Sequence, residues 1–255
     1  MVVVAHVSDP HLDGTAGRDD RLRAVMAAIG RVRGVDAVVV TGDVSNAATA
    51  AGYRHARALL AAGVPVLALP GNADDRDAFR AELAPGTVAG AAPGSPVDQR
   101  HDTAAATYLL LDSTIPGQTP GRLAESTLAW LRAQLADTAP GRPVVLAMHQ
   151  PPTYLDPDLA ARLGLTDAGA LAEVLAERPV SVLLVGHFHV ASTGTLAGVP
   201  TRMSGAVAWD LPLPWEDAPA DAATGGGRLP DPVIAFHLLG DDGSLQTAYR
   251  AVAVD

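Results

Sequence analysis

Five short polar clusters follow apolar runs of the chain: Asp9-Pro10-His11, Gly42-Asp43, Gly71-Asn72, His149 and Gly186-His187-Phe188-His189. Each sits where an apolar run ends and a loop begins. Between them they offer carboxylate oxygens, an amide oxygen and imidazole nitrogens. The chain has no cysteine, which excludes disulfides, thiolate ligation and a cysteine nucleophile. Oxygen and imidazole donors without thiolate suit divalent ions such as Mn, Fe, Zn or Co. Seven donor side chains exceed the needs of one tetrahedral ion but suit two ions that share a carboxylate. Two cations roughly 3.5–4 Å apart clamp both oxygens of an in-line displacement, and lower the pKa of a bound water from 15.7 towards about 7. That chemistry is hydrolysis of a phosphate ester at neutral pH.

Taken singly, the clusters are weak signals. Asp-x-His and Gly-Asp are ordinary turn chemistry, and a lone histidine after VVLAM reads first as a hydrogen-bonded core residue. Gly-His-x-His is more specific, because two imidazoles just past a fully apolar strand rarely serve packing. The ordered recurrence of all five carries the inference.

The elements that must position them follow from periodicity. Residues 2–7, 36–41, 64–69, 105–111, 143–148 and 180–185 read as buried strands. Helical patterns lie between them, near 47–62, 74–83 and 167–177, with Leu22, Val25, Met26, Ile29 and Val32 forming one apolar stripe and Leu128, Trp130, Leu131 and Leu135 another; the Pro-rich stretch after 143–148 reads as a loop. This alternation predicts an α/β fold. Carboxyl ends of parallel strands lie side by side, so loops separated by many residues converge on one rim. Residues 190–209 and 232–253 alternate with period two, which predicts antiparallel strands. The Pro- and Gly-rich stretch 85–103 reads as a surface insertion, and the acidic stretch 210–231 as a flexible loop or lid. Without repeat or linker composition, residues 1–255 are expected to form one domain.

The strings DPH, GDVSN, GNAD, MHQPP and GHFH, in this order, resemble the signature of calcineurin-like metallophosphoesterases, and the resemblance covers nearly the whole chain. LDSTIPGQTPGRL (111–123), the following LAWLRAQL and the HQPP string resemble class III cyclic nucleotide phosphodiesterases. The resemblance implies a four-layer αββα sandwich with two divalent metal ions at the strand ends. It assigns Asp9, His11, Asp43 and His189 to one ion and Asp43, Asn72, His149 and His187 to the other. Asp43 is then shared, and Asp43 and Asn72 belong to the catalytic set. The implied reaction is attack of metal-bound hydroxide on the phosphorus of a small phosphodiester, a cyclic nucleotide. A phosphomonoesterase or a nucleotide pyrophosphatase of the same fold is the alternative, as is a catalytically reduced interaction module. The subfamily resemblance also implies a homodimer.

Two positions depart from the family pattern. Ala73 stands where a histidine usually follows Gly-Asn, a residue assigned to positioning the phosphate or protonating the leaving oxygen. Gln150 replaces a second histidine after the fourth motif, a change expected to alter substrate contacts. His101 reads as a surface-loop residue rather than a substitute for the missing imidazole. His6 and His237 read as packed or edge residues within strands, and His55 as part of a polar helix face. Asp74 and Asp75 read as helix caps, while Asp13 and Asn46 are candidates for supporting the ligands.

Composition sets the outer bounds. A 48% hydrophobic, 18% charged chain of 255 residues reads as globular. Its net charge of −10, with all eighteen basic residues arginine, excludes duplex nucleic acid as a partner recognised through its phosphates. An acidic protein still acts on a small phosphate ester when bound cations supply the positive charge. Met1 leads into Val2-Val3-Val4 with no basic leader, and no apolar run approaches the ~18 residues of a membrane span, so a cytoplasmic protein without membrane partners is expected.

Overall fold

The computed structural model describes residues 1–84, 91–217 and 229–254. In chain order the elements are β1 (Val2–Val7), α1 (Ala16–Gly30), β2 (Ala37–Thr41), α2 (Ala50–Leu59), β3 (Val66–Leu69), α3 (Arg76–Leu83), β4 (Gln99–Asp102), β5 (Thr107–Leu110), α4 (Glu125–Asp137), β6 (Val144–Ala147), α5 (Pro157–Leu163), α6 (Ala168–Glu177), β7 (Val182–Val185), β8 (Ser192–Leu196), β9 (Val199–Met203), β10 (Val233–Leu239) and β11 (Leu245–Ala251). They form two mixed sheets, ordered β11-β10-β1-β2-β3 and β4-β5-β6-β7-β9-β8.

The layering follows from the period-two alternation of strand side chains. On β1 and β2, Val2, Val4, Ala37 and Val39 point inward and meet Tyr108, Leu110, Val145, Ala147, Val182 and Leu184 of the second sheet. The alternate residues Ala5, Val7, Val38 and Val40 point outward and pack against Leu22, Val25 and Ile29 of α1 and Tyr53 of α2. On the second sheet Leu109, Leu146, Leu183 and Val185 turn to Leu131 and Leu135 of α4 and Leu171 and Val174 of α6. Helix, sheet, sheet and helix therefore stack with three apolar layers between them. Strands apolar on both faces are what such burial requires.

Three expectations change. The Pro-rich stretch after His149 contains α5, begun by Asp156, whose side chain accepts from the backbone N–H groups of Asp158 and Leu159, with Pro157 at the first helical position. Proline there lacks only a donor that would go unused. The stretch read as a surface insertion ends in β4, whose residues 99–102 pair antiparallel with β5; residues 85–90 lie outside the described residues. Of the tail strands, β9 pairs antiparallel with β8 but parallel with β7, while β10 pairs antiparallel with β1 and β11, so the tail extends both sheets. Of the stretch read as a lid, residues 218–228 lie outside the described residues. No helix among the described residues is long and apolar enough to cross a membrane.

Leu184 is fully buried in the layer between the sheets. Leu184→Ala should lower unfolding free energy by about 2–5 kcal/mol, read from urea denaturation in chelator. A loss below about 1 kcal/mol would show that the two sheets do not pack through this layer.

Candidate metal centre

The loops that follow β1, β2, β3, β6 and β7 carry the five clusters, and backbone hydrogen bonds join them. The N–H groups of Asp9, His11 and Leu12 donate to the carbonyls of Gly42, Asp43 and Val44 at 3.3, 2.9 and 3.0 Å. Gly186 N–H donates to His149 O at 3.0 Å, and Val207 N–H to Ser8 O at 2.9 Å. Loops from both sheets thus become one surface. Asp9, His11, Asp43, His187 and His189 all have positive φ, from 45° to 77°. For residues with a β-carbon this left-handed backbone costs on the order of 1–3 kcal/mol each and persists where the surroundings enforce it. Close approach sets two glycines: a β-carbon on Gly71 would lie 2.2 Å from Asp43 Oδ1, and one on Gly186 would lie 2.0 Å from Ser8 Oγ.

All seven predicted donors come together. Asp9, His11 and His189 form one buried triad and Asp43, His149 and His187 another, with donor atoms within 4.8 Å of one another in each. Asp43 spans them, its Oδ2 3.4 Å from His11 Nε2 and its Oδ1 3.4 Å from His149 Nε2. Asn72 Oδ1 lies 3.2 Å from His149 Nε2.

The partners of the outer ring nitrogens decide what faces inward. His149 Nδ1 lies 2.7 Å from Thr41 O, His189 Nδ1 2.7 Å from Trp209 O and His187 Nε2 2.9 Å from Leu163 O. Carbonyls only accept, so each of these nitrogens carries a proton. His11 Nδ1 lies 2.7 Å from Asn46 Oδ1, an equivalent pairing. In neutral rings the lone pairs are then on the opposite nitrogens, and these face each other: His11 Nε2 to His189 Nε2 at 3.2 Å, and His187 Nδ1 to His149 Nε2 at 3.2 Å. Asp9 adds to the excess. Its Oδ2 accepts from Ser8 Oγ at 2.5 Å and from His187 N–H at 3.1 Å, while its Oδ1 is buried without a hydrogen-bond partner. Paired lone pairs beside an orphaned carboxylate oxygen fit cations between them, and outer-ring acceptors of this kind are what orient metal-binding imidazoles.

The protonation equilibria express the same demand for positive charge. Burial alone would push Asp43 up, but His149 and then His11 hold it at about 2. Burial likewise opposes charge on His149, but Asp43 and then Asp9 lift it to about 9. Burial, followed by the neighbouring His149, pushes His187 down to about 4. Protons or metal ions can therefore occupy this centre, in competition.

Of the remaining residues singled out from sequence, Asn46 supports His11 as described. Asp13 does not reach the centre; it is exposed and accepts from Thr15 N–H and Oγ1–H at 3.0 and 2.6 Å. His101 lies on β4 rather than in a surface loop, 3.1 Å from Gln99 Oε1. His55 pairs with Asp19 at 2.8 Å on α2. Asp75 caps α3 by accepting from Ala78 N–H. Asp74 does something else: its carboxylate accepts from the N–H groups of Gly71, Val44 and Ser45 and from Tyr53 Oη, tying the β2 and β3 loops together. Gln150 is buried and turned to Ser113 Oγ and Thr119 O, so it holds the 111–123 loop rather than facing the donors. At position 73 the backbone N–H donates to Asp43 Oδ1 at 2.8 Å, and the side chain is a methyl group. Sequence reading missed Ser8, Thr41, Leu163 and Trp209; three of the four act through backbone carbonyls, which carry no residue signature.

The pH dependence has a definite sign. His149 must lose its second proton to offer Nε2 to a metal, so protons compete more as pH falls below about 9. Apparent Mn(II) affinity, measured calorimetrically, should fall by about tenfold per pH unit per competing proton between pH 8.5 and 6.5. Affinity independent of pH over that range would contradict the assignment.

Three comparisons relate the chain to known proteins. The calcineurin-like phosphoesterase family model matches residues 2–191. The chain is similar to a probable cyclic nucleotide phosphodiesterase of Rhodococcus erythropolis, 33% identical over 222 residues that cover 82% of this chain and 72% of the relative. It is also similar to a cAMP/cGMP dual specificity phosphodiesterase of Mycobacterium tuberculosis, 32% identical over 251 residues, 93% of this chain and 75% of the relative. In fold it is similar to a purple acid phosphatase from yellow lupin, with a TM-score of 0.65 at 13% identity over 98% of this chain and 51% of that one. The chain belongs to the calcineurin-like phosphoesterase family.

Proposed function

We propose that this chain is a metal-dependent phosphodiesterase that hydrolyses a small phosphodiester, a cyclic nucleotide, at a dinuclear centre held by Asp9, His11, Asp43, Asn72, His149, His187 and His189. The observation that carries the reading is the inward convergence of imidazole lone pairs on either side of Asp43, beside an Asp9 Oδ1 that accepts no hydrogen bond and lies 3.4 Å from His189 Nε2. Two similar proteins that carry cyclic nucleotide phosphodiesterase names support the substrate class. The proposal extends to a cytoplasmic chain of one domain, and the subfamily resemblance extends it to a homodimer. The net charge of −10 favours a small nucleotide over duplex nucleic acid or an anionic membrane surface.

When bound, two divalent cations, of the Mn, Fe, Zn or Co type by donor set, would supply Lewis acidity and a water acidic enough to act as nucleophile at neutral pH. The chain's own residues do the rest. Asp43 sets the separation of the two triads, with Ala73 N–H fixing its Oδ1. Thr41, Leu163 and Trp209 carbonyls and Asn46 hold the imidazole tautomers and ring planes. Ser8 and His187 N–H occupy one oxygen of Asp9 so that the other faces the centre. What the chain lacks is a proton donor at position 73. In this reading the leaving oxygen takes its proton from solvent or departs as an anion, which penalises a ribose alkoxide more than an aryl oxide.

Ala73→His should therefore raise turnover of 3′,5′-cyclic AMP by about 10²-fold, the lower end of general-acid catalysis, with a much smaller gain on bis(p-nitrophenyl) phosphate. Equal gains on both, or none, would mean that another group already protonates the leaving oxygen. The same assay with phosphomonoesters and nucleotide pyrophosphates tests the substrate class: a preference for either over the diesters replaces the proposal with that activity.

A further inference from the structure

His6 and His237 are fully buried and play no part in the chemistry above. By strand alternation His6 shares the inward face of β1 with Val2 and Val4, and His237 shares that of β10 with Leu239. Two imidazoles in an apolar layer between sheets need a reason, because burial of polar groups is costly unless each finds a partner.

Their partners form one continuous line. Arg202 Nε lies 3.2 Å from Thr247 Oγ1, which lies 3.0 Å from His237 Nδ1. His237 Nε2 lies 3.2 Å from His6 Nδ1, and His6 Nε2 lies 2.9 Å from Thr41 Oγ1. Thr41 Oγ1 lies 2.7 Å from Ser8 Oγ, which lies 2.5 Å from Asp9 Oδ2. A carboxylate only accepts and a guanidinium only donates, so both ends dictate the same sense. Ser8 spends its proton on Asp9, so it accepts from Thr41. Thr41 then accepts from His6 Nε2–H, whose bare Nδ1 accepts from His237 Nε2–H. His237 Nδ1 accepts from Thr247 Oγ1–H, which accepts from Arg202. Burial keeps both imidazoles neutral, as this pattern requires: it pushes His6 to about 3 and His237 well below its ordinary value.

We infer that this aligned chain of hydrogen bonds positions Asp9 for metal binding, with His6 and His237 as positioning residues that act through Thr41 and Ser8. The inference rests on Asp9 being a metal ligand. Its leverage lies at Ser8, whose hydroxyl has two acceptors in reach, Asp9 Oδ2 at 2.5 Å and Thr41 O at 3.1 Å. With the Thr41 proton directed into Ser8 Oγ, the Ser8 proton stays on Asp9 Oδ2, and Oδ1 alone is presented to the centre. Without the His6 donor, Thr41 is free to turn, Ser8 can swing to the carbonyl, and Asp9 loses its shortest hydrogen bond. Polarisation along aligned hydrogen bonds strengthens each member of the line.

The test compares Mn(II) binding by calorimetry with urea unfolding in EDTA for the full chain, His6→Leu, His6→Gln, Thr247→Val and Thr247→Ser. Glutamine offers an amide donor in place of Nε2–H, and serine keeps the hydroxyl. His6→Leu should weaken Mn(II) binding by about tenfold, the usual scale for removing the support of a ligand, with His6→Gln within about threefold of the parent. Thr247→Val, at the half-buried end of the line, should weaken it by about threefold and Thr247→Ser should not. Parent-like binding by His6→Leu, or equal losses in His6→Leu and His6→Gln that track unfolding in EDTA, overturns the inference. If His6→Leu does not fold, the Thr247 pair decides, and parent-like binding by Thr247→Val overturns it. Failure of the parent chain itself to bind Mn(II) overturns the metal centre and this inference together.

Discussion

Lone pairs of two imidazoles held 3.2 Å apart repel unless something positive lies between them, and this chain builds that arrangement twice around one carboxylate. Each ring is held in place by an acceptor on its far side, so it cannot relieve the repulsion by rotating or by moving its proton inward without cost. The free oxygen of Asp9 points into the same space. Much of the local structure serves to maintain this concentration of electron density. Left-handed backbone at five of the seven donors, glycines too close to a carboxylate to bear a β-carbon, and Asp74 lashing two loops together all work against local preference and are offset only by the fold around them.

That surrounding fold is two sheets packed through an apolar layer. Three donor loops leave the first sheet and two leave the second, so no single sheet contains the centre. The backbone bonds between the β1 and β2 loops, and between His149 and Gly186, turn strand ends into a continuous floor. Strain at the donors is tolerable because the strands beneath them are buried on both faces and held in register. The polar line from Arg202 to Asp9 crosses the apolar layer and links the second sheet's β9 to the first sheet's ligand loop, which makes the sheet packing and the metal centre parts of one problem.

Much of this was legible in the residues. Strand-then-polar-cluster is a local pattern, and since parallel strands bring their ends together, five such patterns implied one site. Continuous apolar runs gave strands buried on both faces, hence layers on both sides. The rest was hidden for identifiable reasons. Proline-rich composition concealed α5 because proline at a first helical position looks like a loop. The short β4 lacks apolar alternation, its residues being Gln99, Arg100, His101 and Asp102. Carbonyl supports such as Leu163 and Trp209 have no side-chain signature at all. Asp74 looked like a cap because it neighbours one, and only the three-dimensional path of the β2 loop shows that it ties the β2 and β3 loops together instead.

The central claim is that Asp43 holds two cations in common. Electron paramagnetic resonance of the Mn(II)-loaded chain, read with the bound-metal count, tests it most directly. The parent should bind two ions per chain and show the multiline spectrum of an exchange-coupled pair, and Asp43→Ala should lose that coupling together with at least one ion. A single ion per chain, two ions with uncoupled spectra, or an Asp43→Ala variant that keeps the coupled pair would contradict the account.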